Sequence, residues 1–104
     1  MGYSVNNFKE DIQEILTICQ EDLHAILNGK TRQATKEQIE KTIIPEMNKL
    51  LEMIEKNEIP EKKQRWILSA AYITRGWNWD IWSEDKLNHK LPELDNNYRY
   101  ELDE

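Results

Sequence analysis

Glycine and proline punctuate a regular backbone more strongly than any other residues, and this chain of 104 residues has only three of each. A β-sandwich needs a turn about every 8–12 residues. Six such residues cannot supply those turns or a long flexible linker, so an all-α fold is expected before any periodicity is counted. The length suits one domain, 1–104, able to bury a core without metal or disulfide staples.

The apolar spacing agrees. Val5, Phe8, Ile12, Ile15, Leu16, Cys19, Leu23, Ile26 and Leu27 recur at threes and fours, with Ser4 to cap the start and Asn28-Gly29 as a left-handed stop. A second helix is expected from Thr35, where Thr35-x-x-Gln38 forms a capping box. It continues through Ile39, Ile43, Ile44, Met47, Leu50, Leu51 and Ile54 to about Asn57. Pro45 lacks an amide donor, which predicts a kink or a break around Ile44. Pro60 suits the first turn of a third helix, and Ser83-Glu84-Asp85 reads as the start of a fourth carrying Leu87 and Leu91. Pro92 then interrupts that pattern, and residues 100–104 are expected to fray. The expected architecture is a four-helix up-down bundle, with three long helices and a shorter, proline-interrupted one at the C-terminus.

Three of the four tryptophans fall in the run Trp77-Asn78-Trp79-Asp80-Ile81-Trp82, directly after Gly76. An indole buries a large apolar area and wants a partner for its N–H, so such a cluster marks a core junction or a contact surface. Trp66, Ile67, Ala70, Ile73 and Trp77 make an ordinary core stripe at helical spacing. Leu68, Ala71 and Tyr72 lie opposite it, joined by Trp79 and Trp82 if the helix persists past Gly76. A helix apolar on two sides is either sandwiched within its own molecule or presents one side to a partner, a second copy of the chain included.

Charge narrows the choice of partner. The formal net charge is −6, with acidic ends and a single basic stretch over residues 61–82, where Lys62, Lys63, Arg65 and Arg75 face Glu61 and Asp80. A net acidic chain repels phosphate backbones at long range, which disfavours nucleic acid even though Trp66 and Trp77 lie among those bases. The amphipathic faces lack the basic polar side that anionic membranes select. One cysteine and no basic-then-apolar leader fit a cytoplasmic protein.

Local chemistry is thin. Glu21-x-x-His24 has the spacing of half a di-iron site, but no second copy exists and both residues lie off the apolar stripe. Asp85-x-x-x-His89 offers two ligands without a third. Gly29-Lys30-Thr31 lacks the upstream glycine and strand of a phosphate loop. Cys19 lies within the apolar stripe, where a thiol behaves as a small hydrophobe. No metal or cofactor is expected.

Two functional classes follow. The first is a non-enzymatic binding module, in its most concrete form a small acidic inhibitor that masks a basic toxin or nuclease, as bacterial immunity proteins do. This is an analogy of size and charge. Tyr72, Trp79 and Trp82 would be its anchors, while Glu84, Asp85, Glu93 and Asp95 would steer the encounter. The second class is a small-ligand protein or enzyme with an inter-helix pocket, walled by Trp77, Trp79 and Tyr98, with Arg75 or Asp80 as its polar group.

Overall fold

The computed structural model describes residues 2–80 and 82–102, and among them the protein is all-α, with four helical runs and no strand beyond one isolated bridge. Helix α1 (Val5–Leu27) starts at a reciprocal cap: the Ser4 hydroxyl accepts from the Asn7 N–H, and the Asn7 side chain accepts from the Ser4 N–H, each at 3.0 Å. It stops as its sequence predicts. Gly29 sits at φ +82°, the Lys30 N–H returns to the Ala25 carbonyl, and the Gly29 N–H returns to that of Ile26. Asn57 (φ +57°) ends the second run by the same pattern, with bonds from Glu58 to Met53 and from Asn57 to Ile54.

That second run comprises α2 (Lys36–Gln38), a π-turn (Ile39–Ile43) and α3 (Ile44–Glu55). The expected capping box forms, with the Gln38 N–H on the Thr35 hydroxyl at 3.0 Å and the Thr35 N–H on the Gln38 amide oxygen at 3.1 Å. Pro45 does not break the helix. The turn before it widens instead, so that the Ile44 N–H reaches back five residues to the Ile39 carbonyl. A wider turn relieves the clash that the proline ring would make with the carbonyl of the fourth residue before it.

The third helix departs from expectation. Lys62–Gln64 forms only a 3₁₀ turn, and α4 (Leu68–Arg75) begins eight residues after Pro60 and is the shortest of the four runs. Its N-terminus has no local cap. The Glu46 carboxylate on α3 takes that role, accepting from the Leu68 N–H (2.6 Å), the Ser69 N–H (2.9 Å) and the Ser69 hydroxyl (2.6 Å), while Asp95 accepts from the Ile67 N–H at 2.9 Å. Two acidic side chains from other helices thus meet the donors left without an intrahelical partner and the positive end of α4.

Helix α5 (Lys86–Asn96) starts at Asp85, as expected, but runs straight through Pro92, whose ring is exposed. Burial of Leu87, Leu91 and Leu94 outweighs the missing amide donor. A second π-turn (Asn97–Glu101) follows, closed by the Leu102 N–H on the Asn97 carbonyl at 2.8 Å. The expected fraying does not extend to residues 100–102. Leu102 is buried, bridges to Tyr3, and its carbonyl accepts from buried Arg65 at 2.7 Å. The same guanidinium group bonds the Tyr98 and Pro60 carbonyls, so a cation closes the C-terminal end of the last turn. Residues 103 and 104 lie outside the described residues.

Helix α1 packs on α3 and α5, and α4 packs on α5. One apolar cluster joins them, with Phe8, Ile12, Ile15 and Cys19 of α1 against Ile43, Met47, Leu91 and Leu94. Phe8 stacks on Tyr98 with ring centroids 4.8 Å apart. Val5 and Leu27, at the ends of the expected α1 stripe, are exposed.

Candidate functional site

Helix α4 ends at Arg75, and the tryptophan run is a loop rather than its continuation. The Gly76 and Trp77 N–H groups both return to the Tyr72 carbonyl, Asn78 takes the left-handed conformation at φ +53°, and the Trp79 N–H bonds the Ile73 carbonyl at 3.2 Å. This reversal swings Trp79 inward. It is 6% exposed, its ring stacks on Trp77 with centroids 5.3 Å apart, and its indole N–H donates to Gln38 at 3.2 Å. Trp79 is therefore part of the core and not a surface anchor, because the helical face that would have exposed it ends at Gly76.

Trp82 takes the opposite position, at 83% exposed. The loop that carries it is pinned on both sides. The Gln33 side chain accepts from the Asp80 N–H (2.7 Å), Asp80 accepts from the Trp82 N–H (2.9 Å), and the Asn88 amide donates to the Asp80 carbonyl (2.8 Å). A ring nitrogen of His89 lies 2.8 Å from the Ser83 carbonyl. Ile81, within the loop, lies outside the described residues.

The acidic residues separate into two groups. Glu84 is exposed beside Trp82. Asp85 faces inward, accepting from the Gln33 N–H at 2.6 Å, so it ties the loop after α1 to the start of α5 instead of waiting for a partner. Asp95 is likewise used internally, capping α4 and pairing with Arg99 at 3.5 Å. Glu93 is exposed but borders the cleft between α1 and α5, next to the Lys90–Glu14 ion pair (3.0 Å), well along α5 from Glu84. Tyr72, 38% exposed, leans on Trp77 with ring centroids 5.3 Å apart. Of the seven residues expected to contact a partner, only Trp82 and Glu84 stand together and open to solvent.

More acid lies at this end of the molecule. Glu21 on α1 pairs with Lys86 at 3.9 Å, and buried Asp22 pairs with Arg32 at 3.2 Å. Burial raises the Asp22 pKa against the pull of Arg32, and the charges of Asp85 and Glu21 add to the rise. Cys19, one turn earlier, is buried, and desolvation followed by the charge of Asp22 pushes its thiol up to about 12. A thiol so protonated and enclosed is not a nucleophile.

The walls expected of the alternative pocket have separate neighbours among the described residues. Trp77 and Trp79 stack on each other, whereas Tyr98 lies against Phe8 and Arg65, its hydroxyl directed to the Met53 sulfur at 3.8 Å. Among the described residues no group of three or more His, Cys, Asp or Glu is placed to hold a metal ion, and no helix is long and apolar enough to cross a membrane.

Trp66 is the residue that sequence reasoning misplaced most. Assigned to the core stripe, it is 59% exposed. Residues 65–67 are extended, so consecutive side chains alternate: Arg65 and Ile67 point in and Trp66 points out. No protein-family model, curated protein or solved structure matches the chain.

Proposed function

We propose that this chain is a non-enzymatic protein-binding module, an up-down helical bundle whose acidic end docks a protein with a basic surface and inhibits it, in the manner of an immunity-type protein. The observation that carries this reading is Trp82, a large apolar side chain at 83% exposure on a loop fixed by hydrogen bonds through Gln33, Asp80, Asn88 and His89. An aromatic anchor held in place before contact loses little conformational freedom on binding, which is the economical form of an interface hot spot. Asp80 and Glu84 flank it, and Glu21 lies beside Lys86 at the same end, so an approaching basic surface is steered toward the indole.

The test is capture from an extract of the source organism at low salt on the immobilised protein. A basic protein should be retained, its activity suppressed, and its affinity reduced about 30-fold or more by Trp82→Ala, the equivalent of a hot-spot loss of about 2 kcal/mol. Glu84→Lys should slow association and flatten its salt dependence. Retention that neither substitution alters, or no retained protein, overturns the proposal.

A further inference from the structure

Arg75 of the basic stretch lines the surface around Trp66 together with Lys49 and Arg99 from outside that stretch. Trp66 stands as a ridge between two grooves. One, of about 440 Å³, runs between α4 and α5 and includes Ala70, Thr74, Arg75, Pro92 and Arg99 in its walls. The other, of about 330 Å³, lies toward α3 and includes Lys49, Met53 and Gln64.

Each groove also holds a carboxylate, but both are already matched by donors of the protein. Glu46 accepts from Leu68 and Ser69, and Asp95 accepts from Ile67 and pairs with Arg99. The cations Arg75 and Lys49 stand outside any ion pair among the described residues, although Lys49 acts at longer range on the exposed carboxylate of Glu52. The face therefore presents an exposed indole and apolar walls, with a cation outside any close ion pair on either side.

We infer that this face docks an acidic segment of another protein, with a bulky aliphatic side chain against Trp66 and carboxylates reaching Arg75 and Lys49. Charge complementarity selects the occupant. Ala70, Pro92 and Met53 suit an aliphatic side chain, which an acidic peptide supplies beside its carboxylates and a polyphosphate strand does not. The surface shares no residue with the Trp82 end, so it stands or falls independently of the function proposed above.

The experiment is calorimetric titration of the full chain at low salt with three probes. They are a blocked peptide of two leucines flanked by glutamates, its lysine-flanked counterpart, and an oligothymidylate of similar length. The glutamate peptide should bind saturably, at least tenfold tighter than the lysine peptide. Trp66→Ala and Arg75→Glu should each weaken it at least tenfold, Trp66→Phe should restore most of the loss, and Trp82→Ala should leave it unchanged. Trp66 and Arg75 are exposed, so the variants retain the fold, which circular dichroism verifies. Three results overturn the inference: no saturable binding below about 1 mM, binding indifferent to Trp66 and Arg75, or tighter binding of the oligothymidylate that the same variants abolish.

Discussion

Trp79→Ala is the sharpest probe of how the tryptophan run is divided. Emptying a buried site of this size costs about 3–5 kcal/mol. Within that, the lost indole hydrogen bond contributes about 0.5–1.5 kcal/mol, and the lost ring pair with Trp77 a similar amount. The Gln38 amide oxygen that receives the indole N–H also accepts from Thr35, so it keeps a partner after truncation and adds no penalty for a bare acceptor. That argues for the lower half of the range, about 3–4 kcal/mol. A domain of this size has about 5–15 kcal/mol in all. The variant should therefore still fold, with its melting temperature lowered by about 12–32 °C at about 4–8 °C per kcal/mol. Urea unfolding followed by circular dichroism measures the loss directly. Trp79→Phe, which keeps a ring but not the donor, should fall between wild type and alanine, and Trp82→Ala should stay within about 0.5 kcal/mol of wild type. A loss below about 1 kcal/mol for Trp79→Ala at unchanged denaturant slope would refute the core assignment and return this indole to the surface.

Glu46→Ala removes the distant cap of α4 and strands the N–H and hydroxyl of fully buried Ser69, which should cost about 2–4 kcal/mol. Glu46→Gln, retaining one acceptor oxygen, should lose about half as much on the same scale, and a loss near zero by urea unfolding would show that α4 does not depend on α3 for its start. Asp22 supplies a pH test. Burial raises its pKa in the folded chain, so its proton is held more tightly there than in the unfolded one. Its contribution to stability is fully present below the unfolded value of about 3.9 and is lost as pH rises through the folded value. Asp22→Asn does not titrate and should gain on wild type between about pH 3 and neutrality. A difference in unfolding free energy that is flat over that interval, or moves the other way, contradicts the assignment.

The parts of the fold that were legible in the sequence are those specified by neighbours in the chain. Ser4 with Asn7, Thr35 with Gln38 and Gly29 act within a turn of themselves, and the Ile39, Ile43, Met47 and Leu50 stripe is buried as its spacing predicts. What escaped was settled at long range. No Ser, Thr, Asp or Asn stands at the cap position of α4, which is occupied by Ile67, and the donors there are met by side chains 22 and 28 residues away in sequence. Arg65 carried no local sign that it would seal the end of the last helix. Pro60 favours a helix start where one follows, but here the carbonyl of Pro60 and those of Tyr98 and Leu102 hold Arg65 in an extended segment.

Trp79 and Trp82 show why the candidate surface was read only in part. On a helical wheel the two indoles share a face, and any argument that exposes one exposes the other. A wheel is valid only as far as the helix runs, and this one ends when the Gly76 and Trp77 amides both turn back to Tyr72. Beyond that point Trp79 is fixed by Ile73 and Gln38, and Trp82 by Asp80, contacts that follow from the reversal and not from spacing. The signal available in the sequence was Gly76 with Asn78, two residues suited to unusual backbone angles within three positions, of which Asn78 does adopt a positive φ. Read as a helix stop, that pair divides the run before any contact is known, and leaves the loop beyond it to bury one indole and hold the other out.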